Sequence, residues 1–534
     1  MTWQSLFKTL LFSLLGLLLM QCSMEKGKKP SCVILITLDT HRADYVSAYN
    51  PDRAKTPHID FFARKGILVE NCYSIIPITA PAHGSLFYSL APYLLDLYNN
   101  GQVFRAKKNL VSLAELFLKK GFKTSAFVSL GVLQSQFRLN HGFGLYDDNM
   151  PAHRWYLHAH EINEKVIPWI EENKNDNFFT WIHYSDPHDP YAPPALQPDL
   201  RIDLNGRAAH QVCLQKYERL SMRFKLKQGT NEILLTVLNP FPGERNQYRA
   251  ALNEIEFIHP ESVTLSFTNI HFVQRDDKRS ALIKKSGTIL VECPEQDEDL
   301  IINARGNLNL DPSEKIDAYR KEVEYLDRQI GALRSKLQEW DLLDKCLVVL
   351  VGDHGEGLGE KKTGLGDRHF GHIHYLYGEY LKVPFIIFDP STGETPSIIG
   401  DINTILDVAP TIIGRMGWKK PSFFQGRDLL KPKKVAGIVW EETYTPEAIH
   451  DRFGLLQHPI HLIYTAEPQR YELYDLDADP GETQDIFAAH ADSDEIKNLQ
   501  QRLRQKAADI LARKKEVKLD KESLEMLKSL GYIK

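Results

Sequence analysis

Cys32-Val33-Ile34-Leu35-Ile36-Thr37-Leu38, followed at once by Asp39-Thr40-His41-Arg42, is the stretch from which the fold can be read. It has the length of a strand and is rich in β-branched residues, but it shows no alternation of apolar and polar positions. A strand of that kind is covered on both faces, which is the situation of a parallel sheet packed between helices. A second run with the same character, Cys346-Leu347-Val348-Val349-Leu350-Val351-Gly352, leads into Asp353-His354-Gly355. Helical periodicity over Asn109 to Lys120, His160 to Asn173 and Ile316 to Trp340 supplies the covering layers. These patterns predict an α/β fold with a mixed, mostly parallel sheet flanked by helices. In such sheets functional groups collect beyond the carboxyl ends of the strands, which makes Asp39 and Asp353 site candidates.

The remaining chain divides around this core. Met1 to Gln21, with Lys8 ahead of an apolar run from Leu10 to Met20, reads as an export signal and is too short for a membrane span. Leu19-Met20-Gln21-Cys22 resembles a bacterial lipoprotein cleavage site, although Gln21 is not the small residue usual there. A lipidated Cys22 would attach the mature protein to a membrane, with 22–30 as a tether. The expected order is then a catalytic α/β part over 31–199, an inserted β-rich region over 200–310, a second α/β part over 311–430 and a smaller C-terminal α+β subdomain over 431–534. The insert is read as a β-sandwich from extended runs such as Asn231 to Leu238 and Gly287 to Cys293 between close turns. The helical segment Asp494 to Lys515 reads as a solvated amphipathic face. A net charge of −5 over 534 residues gives no basic field, so nucleic acid is not an expected partner. The chain has 6 cysteines, too few for a disulfide scaffold. Cys32 and Cys346 each precede a strand-end Asp by the same spacing and could face each other, but two buried thiols are the expectation.

Chemistry concentrates in a few segments. Asp39 and Asp353 offer carboxylates from neighbouring strand ends and His354 adds a ring nitrogen, a donor set suited to a divalent cation. A lone strand-end Asp often only caps the next helix; two of them, one in Asp-His-Gly, say more. In Ile78-Thr79-Ala80-Pro81-Ala82-His83, Pro81 can open a helix and Thr79 sits at its positive end, as an attacking hydroxyl or an ordinary N-cap. The turn His183-Tyr184-Ser185-Asp186-Pro187-His188-Asp189-Pro190 holds Asp186 and His188 rigidly. Gly371-His372-Ile373-His374 precedes a further apolar run, Val383 to Phe388.

Taken in order, the motifs resemble the sulfatase family of the alkaline phosphatase superfamily. They are Leu38-Asp39-Thr40-His41-Arg42-Ala43-Asp44, Thr56-Pro57-His58-Ile59-Asp60, the turn at Thr79, Asp186-Pro187-His188, Gly352-Asp353-His354-Gly355-Glu356, Asp407-Val408-Ala409-Pro410-Thr411, Gln425-Gly426-Arg427 and Leu473-Tyr474-Asp475-Leu476. The closing segment Leu527 to Ile533 is similar too, while 200–310 is not covered. The resemblance implies an alkaline-phosphatase-like fold. It makes Asp39, Asp353 and His354 ligands of one divalent ion, Ca²⁺, Mn²⁺ or Zn²⁺, with Thr79 as the nucleophile. His188 and His372 would handle the anion or the leaving oxygen with ring pKa values near neutral, and His83 and His374 would bind substrate. A second ion on Asp186, His188 and His372 is conceivable. Three departures stand out: a Thr at position 79 cannot become formylglycine, His83 stands where an Arg is usual, and Thr40 stands where many members have another Asp. Cys72 is not a substitute for the modified residue, because Ser74 replaces the Pro that maturation needs.

The expected function is metal-dependent hydrolysis of sulfate or phosphate esters on a small molecule, glycan or lipid. Thr79 itself tilts the chemistry toward phosphorus, since a phospho-threonine can be attacked directly by water. Two alternatives are a phosphoryl-alcohol (phosphoethanolamine-type) transferase acting on envelope lipids or glycans, and a catalytically silent glycan-binding surface protein.

Overall fold

The computed structural model describes residues 29–514 except 152–153, 190, 192–199, 213, 215–218, 239–249, 276–277, 309–311, 363–367, 391–396, 432–436 and 445–450, together with 523–524 and 526–527. The expected export signal, Cys22, most of the expected tether and nearly all of the closing segment lie outside the described residues.

The central sheet begins with β1 (Cys32–Leu38), β2 (Ile67–Tyr73), β3 (Lys123–Phe127), β4 (Leu145–Asp147) and β5 (Phe178–Tyr184). The inserted region supplies β6 (Leu200–Leu204), β7 (Arg207–Val212), β8 (Arg219–Lys225), β9 (Gly229–Val237), β10 (Ala250–Ile258), β11 (Thr264–Arg275), β12 (Lys278–Cys293) and β13 (Asp299–Leu308). The chain returns to the central sheet with β14 (Cys346–Gly352), forms the hairpin β15 (Gly357–Lys362) and β16 (Arg368–Gly371), and adds β17 (Lys382–Val383), β18 (Phe385–Phe388) and β19 (Ser397–Thr404). The order across the sheet is β17-β2-β18-β14-β1-β5-β3-β4, with β19 also on β2. From β14 through β1, β5 and β3 to β4 every pairing is parallel. β18 pairs antiparallel with both β14 and β2.

β1 shows why an unbroken apolar run was needed. Val33 and Leu35 belong to one core with Leu86, Phe87, Phe117 and Ile412. Ile34, Ile36 and Leu38 face the opposite core with Phe62, Ile162, Val166, Leu326 and Ile330. The helices Thr79–Tyr88, Leu113–Lys119 and Val408–Arg415 therefore cover one face, and Pro57–Lys65, Ala159–Asn173 and Pro312–Glu339 the other. The helix expected from Asn109 starts only at Leu113, because Ser112 and Glu115 close a capping box that satisfies its first amides.

The expectation of two free thiols is corrected. Parallel register pairs Cys32 with Cys346, their Cα atoms are 4.6 Å apart, and they form a disulfide. Identical spacing from Asp39 and Asp353 brought the two sulfurs together at the ends of β1 and β14 away from those carboxylates.

The inserted strands alternate buried and exposed positions; along β9, Asn231, Ile233, Leu235 and Val237 point inward. The long strand β12 pairs with β10 near its start and with β9 near its end, while β11 follows it on the other edge. The sheet folds over a single core that joins Ile202, Ile233 and Leu235 to Phe224, Leu252 and Ile302. That arrangement is a sandwich.

A four-stranded antiparallel sheet, β20 (Val439–Thr443), β21 (Arg452–Gln457), β22 (Ile460–Thr465) and β23 (Arg470–Asp475), forms the C-terminal part. The helix Asp494–Leu511 keeps a polar face outside and lays Leu499, Leu503, Ala507 and Ile510 into the same core as Leu455 and Leu462. It is a docked helix, with only one side solvated. In this subdomain His461 is buried with Nε2 against Glu441 Oε2 at 2.8 Å and Nδ1 against Glu482 Oε1. Both ring nitrogens face carboxylate oxygens, so both must donate and the ring is charged. Burial works against that charge and also pushes Glu441 up, but the flanking carboxylates win and raise His461 to about 10.

Two outcomes follow for stability. A His461 whose folded pKa is raised contributes stability that is complete below its unfolded value of about 6.5 and is lost as pH rises through about 10. The melting temperature should therefore fall over that alkaline window, and His461→Gln should flatten the fall in a pH series of thermal scans. Opening the Cys32–Cys346 bond with reductant, or by Cys346→Ser, should remove about 2–4 kcal/mol of unfolding free energy, read from denaturant titrations.

Candidate active site

Asp39 and Asp353 leave β1 and β14 on adjacent strands, one residue beyond the Leu38–Gly352 pair. Asp39 N donates to Tyr184 O at 2.9 Å, continuing the ladder onto β5. Asp353 Oδ1 accepts from His354 N at 2.7 Å and from Thr40 N at 3.1 Å, and Thr40 takes a positive φ of 54° to aim that amide. Asp353 Oδ2 and Asp39 Oδ1 are left, fully buried, without a hydrogen-bond partner. His354 Nδ1 donates to the Gly355 carbonyl at 3.0 Å, so Nε2 carries the lone pair. That nitrogen is 3.4 Å from Asp353 Oδ2 and 3.7 Å from Asp39 Oδ1. Asp39, Asp353 and His354 each offer a ligand atom within 4.8 Å of the others.

Two facing carboxylates inside a protein are unstable as a pair of charges. Burial and the neighbouring Asp39 push Asp353 well above the carboxylate range, and burial with His372 nearby pushes His354 well below the imidazole range. The orphaned oxygens and the turned-in nitrogen fit a divalent cation, which would bring Asp353 back down and suits a His354 ring that burial keeps neutral. Thr79 is the first residue of the helix Thr79–Tyr88, and its Oγ1 lies 3.3 Å from His354 Nε2.

With this geometry in place, comparison with known proteins is informative. The family model described as Sulfatase matches residues 31–418. The chain belongs to the sulfatase family. A further model, N-sulphoglucosamine sulphohydrolase, C-terminal, matches residues 366–509. Among curated relatives, an N-acetylglucosamine-6-O-sulfatase of Bacteroides thetaiotaomicron is 23% identical, covering 93% of this chain and 90% of that one. An arylsulfatase of Clostridium perfringens is 22% identical over 86% of this chain and 90% of its own. A solved structure in complex with its substrate D-glucosamine-2-N,6-O-disulfate superimposes with a TM-score of 0.59 at 16% identity, covering 92% of this chain and all of the other. The phosphonate monoester hydrolase of Agrobacterium radiobacter gives a TM-score of 0.58 at 15% identity, covering 91% and 96%. The chain is thus an ester hydrolase on an alkaline-phosphatase-like scaffold.

Within this sulfatase-family site the remaining candidates take distinct places. His83 lies beneath the start of the helix that carries Thr79. Its ring is fully buried, Nδ1 donates to the Thr79 carbonyl at 2.8 Å and Nε2 accepts from Thr37 Oγ1 at 3.0 Å. Thr37 in turn accepts from Trp181 Nε1 at 2.8 Å. Both nitrogens being engaged within the protein, His83 braces the helix that carries Thr79, and its Nδ1 also lies 3.6 Å from Asp353 Oδ2. Thr40 directs its hydroxyl to the carbonyls of Asp39 and Pro187 and adds no ligand.

His372 and His188 do approach the cluster: the His354 and His372 ring centroids are 4.5 Å apart, and those of His372 and His188 5.0 Å. Burial, with His369 and His374 adding to it, holds His372 down to about 3, well below the near-neutral value expected. His374 is exposed and meets His369 edge-on at 5.6 Å. Asp186 does not assemble a second ion site. Its carboxylate accepts from Ala159 N at 3.0 and 3.2 Å, capping the helix Ala159–Asn173. Among the described residues the one group of this kind is Asp39, Asp353 and His354.

Two residues of the site escaped the sequence. His183 Nε2 lies 3.2 Å from Asp39 Oδ2, with Nδ1 on Ser129 Oγ at 2.9 Å, and so fixes the carboxylate. Its place beside Thr37 in the β1–β5 register was the available signal. Glu356, inside the Asp-His-Gly-Glu motif, is fully buried between Tyr191 Oη at 2.6 Å and His372 Nδ1 at 2.7 Å. Burial and nearby acids push it well above its usual range.

Asp353→Asn should leave the purified protein without stoichiometric divalent metal by elemental analysis and lower hydrolysis by at least about 100-fold. His183→Gln, which releases Asp39 without removing a ligand, should weaken metal affinity by about 10–100-fold in a chelator competition.

Proposed function

We propose that this chain is a divalent-metal-dependent hydrolase of sulfate esters carried on saccharides, with Thr79 Oγ1 as the attacking atom. One observation carries the reading: Thr79 Oγ1 stands 3.3 Å from His354 Nε2, at the rim of the buried Asp39, Asp353 and His354 cluster. The saccharide is supported by the names of the relatives, which include N-acetylglucosamine-6-O-sulfatase.

Asp39, Asp353 and His354 would hold the cation, which when bound acidifies a nearby hydroxyl and polarises an ester oxygen. Thr79 Oγ1 gives up its proton to water and forms the new bond to sulfur in line with the departing alcohol, whose bond to sulfur breaks. The positive end of the helix Thr79–Tyr88 favours the anion at that point. Entry of an anionic ester beside His372 opposes the burial that keeps this ring neutral, and Glu356 holds its Nδ1. Nε2 of His372, or the neighbouring His188, then gives a proton to the alcohol oxygen. Water attacks the sulfo-threonine, releasing sulfate and restoring the hydroxyl.

The threonine also favours a second reading. A phospho-threonine is opened by water more readily than a sulfo-threonine, so phosphodiesters or phosphonate monoesters are the competing substrates.

We also propose export and attachment to a membrane through Cys22. The Cys32–Cys346 disulfide supports this, because such bonds persist in oxidising compartments.

The test is a panel of saccharide sulfates, 4-nitrophenyl sulfate, phosphate monoesters and phosphodiesters, with calcium, manganese, zinc or chelator. Thr79→Ala should lower kcat by at least about 1000-fold and Thr79→Ser by less than about 10-fold, with no turnover in chelator. Equal turnover by wild type and Thr79→Ala removes Thr79 from the mechanism. Faster cleavage of phosphodiesters than of every sulfate ester moves the enzyme to the second reading.

A further inference from the structure

Two distant segments build the edge of the catalytic centre next to His372. After β16 the chain runs through His372, Ile373 and His374 to Tyr375, and the C-terminal sheet grips it from outside. Thr443, at the end of β20, donates its hydroxyl to the Ile373 carbonyl, and Arg452, at the start of β21, donates Nη1 to the His374 carbonyl. The Arg452 guanidinium carbon lies 4.5 Å over the Tyr375 ring. Tyr375 is half-buried and packs edge-on against His369 at 4.8 Å.

Two arginines, Arg334 over the Phe61 ring and Arg452 over the Tyr375 ring, keep a buried Nε without a hydrogen bond, and of the two it is Arg452 that contacts the segment bearing His372. Arg42 pairs with Asp44 and Glu360, Arg154 with Glu161, and Arg415 with Asp389. Arg452 has no carboxylate partner among the described residues, and its Nε is buried without a hydrogen bond. A guanidinium placed on an aromatic face, partly shielded from water and lacking an anion, is a site for one. A polar ring resting beside Tyr375 would direct its substituent to that charge.

Chain geometry keeps this segment close to the cation cluster. The His372 ring adjoins the His354 ring, whereas His374 is only two residues further along, with Cα atoms about 7 Å apart at most. A saccharide whose ester sulfur sits at the cation cluster would extend past His372 toward Tyr375. We propose that Arg452, Tyr375 and His374 form a subsite for a second anionic group, a sulfate or carboxylate, on the saccharide that leaves. This rests on the sulfated-saccharide reading above and names the kind of saccharide: one with more than one negative charge.

The experiment is calorimetric titration of D-glucosamine 6-sulfate and D-glucosamine-2-N,6-O-disulfate into the calcium-supplemented Thr79→Ala chain, which keeps both ligands intact. Arg452→Gln, Arg452→Lys and Tyr375→Ala are compared in the same background, and each is checked for folding by its melting temperature. The disulfate should bind at least tenfold more tightly than the monosulfate. Arg452→Gln should reduce that ratio to within twofold of unity, Arg452→Lys should keep part of it, and Tyr375→Ala should weaken both ligands. Equal affinities with Arg452 intact, or a ratio that Arg452→Gln leaves unchanged, overturns the subsite. If neither saccharide binds while the wild-type chain still cleaves 4-nitrophenyl sulfate, the subsite alone is wrong; if that cleavage is absent too, the sulfatase reading of this chain fails with it.

Discussion

Repulsion between two buried carboxylates organises this molecule. Asp39 and Asp353 sit on neighbouring strand ends with one oxygen each left unbonded inside the protein, next to a histidine nitrogen whose lone pair points at them. No arrangement of protein hydrogen bonds relieves that pair, because the neighbouring amides already serve the other Asp353 oxygen. The fold holds the two carboxyl groups together through the parallel β1–β14 ladder. Around them it places groups that orient each member: His183 on Asp39, Thr40 N on Asp353 and the Gly355 carbonyl on His354. A site strained in this way is selective for whatever brings positive charge.

Support for the Thr79 hydroxyl follows a similar logic from below. Trp181 donates to Thr37, Thr37 to His83, and His83 to the Thr79 carbonyl, so a chain of hydrogen bonds ties three elements of the core to the start of one helix. Each polar group in that chain is fully buried, and each is satisfied. Such a network is rigid because loosening any member strands its neighbours without a partner. It explains how a histidine can occupy the position where the resemblance to the sulfatase family implies an arginine.

Much of this was legible in the sequence because strands buried on both faces advertise themselves. The runs ending at Asp39 and Asp353 pointed to the parallel sheet, its layers and the clustering of Asp39, Asp353 and His354, since strand-end position needs no knowledge of side-chain direction. What stayed hidden depended on register and orientation. His183 is separated from Asp39 by 144 positions and meets it only because β5 pairs with β1. Asp186 carries the residue type of a site but points onto a helix start, and His83 borders the acid pair from beneath another helix, bonded to the carbonyl of its first residue. The disulfide was visible as a coincidence of spacing, yet only the in-register pairing of β1 with β14 makes that coincidence a bond. Glu356 lay inside a recognised motif, but its contact with His372 arises from the hairpin β15–β16, whose pairing of Gly357 with Gly371 folds the later histidine back.

The sandwich formed by β6 to β13 enters the chain after the turn bearing His188 and ends before the helix Pro312–Glu339. It has its own core, and no strand of it joins the central sheet. A module hung on one connection can be swapped, enlarged or worn away over evolutionary time while the ladder that aligns the acid pair goes on unaltered. Lineages diverging on different polymers could therefore retool what surrounds the reaction and inherit the reaction itself unchanged.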